Sequence, residues 1–174
     1  MKRRILYSLS ILLIFISSCG NTKLSEKIIN HIEQNIYLEK VEMPVREFEY
    51  FAECEIKISD FTSFQWDKLI VFNSGTTADQ ICNELGISFK DSLGLKFGVI
   101  FLYNNKVVYK EYYNPGVEKP VRFTIITSGK FSNITEYTLP LKFRVFTPEE
   151  AVFIGYAYIY NNTHYYFINA DPGY

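Results

Sequence analysis

The chain is poor in the residues from which active sites are assembled. It has only two histidines, His31 and His164, and neither has partners at metal-ligand spacing. No HExxH or CxxC pattern occurs, and there is no glycine-rich phosphate loop. Ser74-Gly75 and Ser128-Gly129-Lys130 make neither a GxSxG elbow nor a recognised Ser/Lys set. Both sit where turns are expected, and turn chemistry accounts for them. Glu149-Glu150 is a pair of acids, but adjacency in sequence does not set two carboxylates across a cleft. The expectation is therefore a protein that is not an enzyme, with no metal and no cofactor. A hydrolase whose residues come together from distant loops is the remote alternative. No stretch rich in Pro, Gly or Ser divides residues 25–174, so one domain is expected there.

What is present begins at the N-terminus. Lys2, Arg3 and Arg4 precede the largely apolar stretch Ile5 to Ile16, which ends in Ser17-Ser18-Cys19-Gly20-Asn21. A basic start, about a dozen mostly apolar residues and then small ones is the pattern of a secretory signal. The apolar stretch is well short of the roughly 20 residues that span a bilayer as a helix. Ile16-Ser17-Ser18-Cys19 resembles the lipobox of bacterial lipoproteins. The resemblance implies a signal peptide over 1–18 that is cleaved, acyl chains on Cys19, and a lipidated tether over 19–24. Two or three chains hold firmly, since each buried methylene adds about 0.8 kcal/mol. Gly20 is not the aspartate that retains many such proteins in the inner membrane, which favours the outer membrane. Gly20-Asn21-Thr22-Lys23-Leu24 lacks the acidic cluster linked to surface export in some Bacteroidota, which favours the periplasmic face.

Cleavage removes three basic residues, so the net charge of −1 falls to about −4. Nucleic acid is excluded as a partner, because it needs a basic face. A lipidated Cys19 also leaves Cys54 and Cys82 as the candidate disulfide of an oxidising compartment. Alternation puts Ala52, Cys54, Ile56 and Ile58 on one face of a strand, with Glu53, Glu55 and Lys57 on the other. Cys82 joins Ala78, Ile81 and Leu85 on the inner face of a short helix. Two buried thiols suit these settings as well as a bond does.

Leu24, Ile28, Ile32 and Ile36 recur every fourth residue, with Ile29 and Tyr37 beside them and Lys23, Glu26, Lys27, Glu33 and Gln34 opposite. This predicts an amphipathic helix of about four turns, packed on its own domain and ending before Pro44. Leu69 to Phe72 is continuously apolar, as in a strand covered on both faces. Thr77 and Gln80 have capping-box spacing, and Gly86 suits a left-handed helix end. Phe97 to Tyr103 and Lys106 to Tyr112 flank Asn104-Asn105, a pair that tolerates a tight hairpin turn. Val152 to Tyr160 and Thr163 to Ile168 repeat the device around Asn161-Asn162. Val121 to Thr127 and Tyr137 to Phe146 supply further extended stretches. Thr147-Pro148-Glu149-Glu150 predicts one capped helical turn. The fold class is α+β: a mostly antiparallel, meandering sheet with an N-terminal helix and one short helix packed on it.

Aromatic residues are abundant, with 14 tyrosines and 15 phenylalanines. Tyr156, Tyr158 and Tyr160 share one strand face. A two-residue turn at Asn161-Asn162 would set Tyr158 opposite Tyr165 and Tyr156 opposite Phe167. Such cross-strand pairs stabilise a sheet by about 0.2–1 kcal/mol each. Exposed, the same ladder would bind a glycan, a peptide or a partner protein. Trp66 is expected to anchor the core before the central strand, while Asp67 and Lys68 fix a turn or pair at the sheet margin. A binding role for that trio is the alternative.

The segment Trp66-Asp67-Lys68-Leu69-Ile70-Val71-Phe72, preceded by Phe64, resembles one in small uncharacterised lipoproteins, mostly from Bacteroidota. Those proteins also carry a lipobox and a downstream hydrophobic hairpin with Asn-Asn or Asn-Lys. The resemblance covers residues 50–115 and implies no assigned activity. The expected role is an envelope lipoprotein held in the membrane through Cys19, with a non-catalytic protein-binding domain of immunity or inhibitor type. A glycan- or peptide-binding module is the alternative. Cys19→Ser is expected to abolish incorporation of radiolabelled palmitate and to leave an unprocessed precursor. Normal maturation of that variant would contradict the lipobox assignment.

Overall fold

The run Leu69-Ile70-Val71-Phe72 offers no polar side to water, and the fold covers it on both faces. The computed structural model describes residues 22–36, 52–113, 122–126, 142–160 and 163–170. Along the chain these form α1 (Leu24–Asn35), β1 (Ala52–Lys57), a 3-10 turn (Ile58–Phe61), β2 (Lys68–Phe72) and α2 (Ala78–Leu85). They are followed by β3 (Phe97–Tyr103), β4 (Lys106–Tyr113), β5 (Arg122–Ile126), β6 (Phe143–Phe146), β7 (Val152–Tyr160) and β8 (Thr163–Asn169). The α+β class holds. The strands divide, however, between two four-stranded sheets, ordered β1-β7-β8-β5 and β4-β3-β2-β6, rather than forming a single meander.

β2 shows why one sheet does not suffice. Leu69 and Val71 face a core shared by the inner faces of both sheets and α1. Ile70 and Phe72 face a second core, closed by Ile81 of α2 with Ile87 and Leu93 of the following loop. A strand apolar on both sides needs a layer on each side. α2 supplies one layer; α1 and the first sheet supply the other. Neighbouring strands are antiparallel except β5 and β8, which run parallel.

Local signals predict local structure well. Leu24, Ile28 and Ile32 make the buried stripe of α1. That helix lies against the first sheet at Gly155, where an added Cβ would stand 2.8 Å from Ile56 and 3.1 Å from Ile32. α2 has the full Thr77–Gln80 capping box and ends on Gly86 at φ 64°. Asn104 and Asn105 both adopt positive φ, 51° and 59°, as a tight two-residue turn requires. Thr147 and Glu150 cap one another, and Ala151 N–H closes the single turn on Thr147 O at 3.0 Å. The pairing of β7 with β8 sets Tyr158 opposite Tyr165 and Tyr156 opposite Phe167, the register of a two-residue turn. Residues 137–141 and the Asn161-Asn162 turn itself lie outside the described residues.

The candidate disulfide is not formed. Cys54 and Cys82 are both free thiols. Cys54 packs against the core between the sheets, and Cys82 against the core beneath α2. Each cysteine faces apolar surroundings as its pattern predicts, but those surroundings lie on opposite faces of the second sheet. Burial pushes the Cys54 thiol up, as desolvation does to any group that ionises to an anion. Cys82 Sγ lies 3.5 Å from Phe89 O, its hydrogen-bond acceptor.

β3 and β4 approach closely at Gly98, where an added Cβ would meet Glu111 O at 2.4 Å and Phe72 at 2.9 Å. Gly98→Ala is expected to destabilise the domain by about 1–3 kcal/mol, the usual cost of overpacking. Urea denaturation measures it; an unchanged midpoint would contradict that close approach.

Candidate functional site

The trio Trp66, Asp67 and Lys68 is occupied with fastening its own domain. Trp66 is 9% exposed and packs edge-on against Phe101, with ring centroids 5.1 Å apart. Its indole N–H donates to Thr62 Oγ1 at 3.0 Å. Asp67 Oδ2 accepts the Asn104 N–H at 2.6 Å, and Lys68 Nζ donates to Asn105 Oδ1 at 2.9 Å. The two adjacent side chains therefore hold both residues of the β3–β4 turn. A left-handed turn exposes its amide groups, and a carboxylate acceptor satisfies one of them. Of the two readings of Asp67 and Lys68, the turn-fixing one is the observed arrangement.

The remaining candidate is the outer face of the first sheet. Glu53 pairs with Tyr156 and Glu55 with Ile154 across β1 and β7, while Tyr156 pairs with Phe167 across β7 and β8. This face carries half-buried Val152, Ile154, Tyr156, Tyr165 and Phe167, bordered by exposed Glu53, Glu55 and Lys57. The rings of Tyr156 and Phe167 are stacked, 4.9 Å apart and inclined by 20°. Burial and the nearby Glu53 charge both push the Tyr156 hydroxyl up. β7 continues to Tyr160, with Tyr158 paired to Tyr165 and Tyr160 to Thr163 in register; the side chains of Tyr158 and Tyr160 lie outside the described ones.

Three polar clusters join elements distant in sequence. On β4, the Glu111 carboxylate accepts Leu24 N–H at 2.9 Å, Ser25 N–H at 3.3 Å, the Ser25 hydroxyl and the Tyr109 hydroxyl. Burial and Glu111 push Tyr109 up to about 12. Glu33 of α1 accepts the Tyr166 O–H at 2.5 Å, and His164 Nδ1 lies 2.9 Å from the same hydroxyl oxygen. With the Tyr166 proton directed at Glu33, that oxygen accepts from His164 Nδ1–H. His164 therefore has a defined hydrogen-bond partner. His31 packs edge-on against Phe61 at 5.2 Å. Asp91 accepts from Lys110 Nζ and the Tyr112 hydroxyl, both at 2.6 Å, which holds it below the usual carboxylate range. Among the described residues, no three His, Cys, Asp or Glu side chains group as metal ligands do.

Sequence reasoning missed Glu111, Tyr109, Tyr166 and Glu33 because the bonds that join them to or from α1 span 85 to 133 residues. One local signal did exist. Lys23, before the first turn of α1, provides no side-chain cap, so the opening amides need an acceptor from elsewhere. Glu111, between Tyr109 and Tyr113 on the inward side of β4, is that acceptor.

No protein-family model, curated protein or solved structure matches the chain.

Asp67→Ala is expected to destabilise the domain by about 1–3 kcal/mol, the cost of losing a charged acceptor. It should also speed hydrogen exchange at the Asn104 amide. Unaltered exchange there would show that Asp67 does not hold the turn.

Proposed function

We propose that the chain is a membrane-anchored envelope lipoprotein whose α+β domain binds a protein partner without catalysing a reaction. Anchorage rests on Ile16-Ser17-Ser18-Cys19 and the basic, apolar segment before it. The outer membrane, on its periplasmic side, is the proposed location. The proposed partner is a periplasmic protein, in the manner of an immunity or inhibitor protein.

The observation that carries the binding role is the outer face of the first sheet. An aromatic and aliphatic centre with a charged border is the composition of a protein interface core and its rim. The border holds Glu53 and Glu55, with Lys57 at the far end of β1. Such a face suits a partner presenting an apolar knob beside basic groups. A sugar platform needs open ring faces, and Phe167 covers one face of Tyr156, which favours a protein over a glycan. The polar clusters support a non-catalytic role as well. Glu111, Asp91 and Asp67 each accept bonds that tie strands, turns and helix together.

A photo-crosslinking amino acid at Ile154, in intact envelopes, is expected to trap a discrete adduct. Glu53→Lys combined with Glu55→Lys should weaken it. Adducts from Asn83 on α2 but none from Ile154 would contradict this face as the binding surface.

A further inference from the structure

The start of α1 is tied to the body of the domain rather than left to fray. Leu24 and Ser25 are both buried, and their amides end on a single carboxylate carried by β4. Leu24 N–H also reaches the Tyr109 hydroxyl at 3.1 Å. Tyr109 in turn stacks on Phe64, with ring centroids 5.2 Å apart and planes inclined by 19°. The bonds from Leu24 and Ser25 to β4 span 85–87 residues of sequence, so they belong to the tertiary fold. A carboxylate against helix N-terminal amides gains from both charge-assisted hydrogen bonding and the helix dipole. Leu24 and Ser25 therefore belong to the folded body, and α1 follows directly from them.

Only five residue steps separate Cys19 from Leu24. Fully extended they reach about 17 Å; as flexible chain they average about 12 Å. A domain of this size has a radius of gyration of roughly 15 Å, so it is wider than its tether is long. The exit point also has a defined place among the layers. α1 contributes to the core between the two sheets, whereas α2 packs on the far side of the second sheet. With layers about 10 Å apart, α2 and the outer face of the first sheet lie to either side of the exit.

Resting on the lipoprotein reading above, we infer that the domain stands edge-on to the lipid surface, with the Leu24–Glu111 end facing it. Exposed Lys23 directly precedes Leu24, and exposed Gln65 directly follows Phe64, whose ring stacks on Tyr109. The outer face of the first sheet stands on the flank, not turned to lipid. The short tether enforces this orientation. Apolar insertion does not, because the exposed side of α1 carries both Glu26 and Glu33.

The test uses acylated full-length protein in vesicles of phosphatidylethanolamine and phosphatidylglycerol containing a nickel-chelating lipid. A nitroxide is placed at Gln65→Cys or at Asn83→Cys of α2, in a Cys54→Ser, Cys82→Ser background. Both sites are exposed. The lipid-borne nickel is expected to relax the Gln65 label several-fold more strongly than the Asn83 label. A long Gly-Ser insertion between Thr22 and Lys23 should abolish that contrast while acylation persists. Equal relaxation of the two labels in acylated, uninserted protein would overturn the orientation and leave anchorage intact. Absence of the acyl group from the purified protein would instead overturn the reading on which the orientation rests.

Discussion

One carboxylate ties the start of α1 to the rest of the fold. Glu111 is 8% exposed and gathers the opening amides of α1, the Ser25 hydroxyl and the Tyr109 hydroxyl. A buried carboxylate without partners is costly, and helix amides without acceptors are too. Each answers the other's deficit, which makes this contact a strong point of attachment between α1 and the second sheet. At its other end α1 is held to the first sheet by the Tyr166 hydroxyl on Glu33 and by Ile32 packed over Gly155. The helix thus bridges the two sheets as well as filling the space between them.

β2 imposes the second constraint. Fully apolar on both faces, it sits inside the second sheet between β3 and β6, with a core above and below. The three layers this requires leave the outer face of the first sheet as the aromatic surface without a role in the packing of β2. Structure and proposed function meet there. The same alternation that points Phe153 and Ala157 inward points Ile154 and Tyr156 outward.

Elements whose cause is local were legible in the residues. The stripe of α1, the capping box of α2, the two-faced β2, the Asn104-Asn105 turn and the register of β7 with β8 all follow from spacing or turn chemistry. The division into two sheets was not legible, since it depends on which distant strands meet. β1 pairs with β7 about a hundred residues later, and nothing within β1 names that partner. The cysteines make the same point. Each apolar setting was read correctly, yet whether the two settings touch is a property of topology. For the site, the Tyr156–Phe167 pair could be read from the hairpin, whereas Glu111 required the folded chain.

The account depends most on Cys19 being the first residue of the mature protein and carrying lipid. Mass spectrometry of the N-terminal peptide, from protein extracted from its native membrane, tests this directly. The account predicts a peptide beginning at Cys19 whose mass includes a diacylglyceryl group. An N-terminal peptide without acyl mass, or one that retains residues before Cys19, would contradict it.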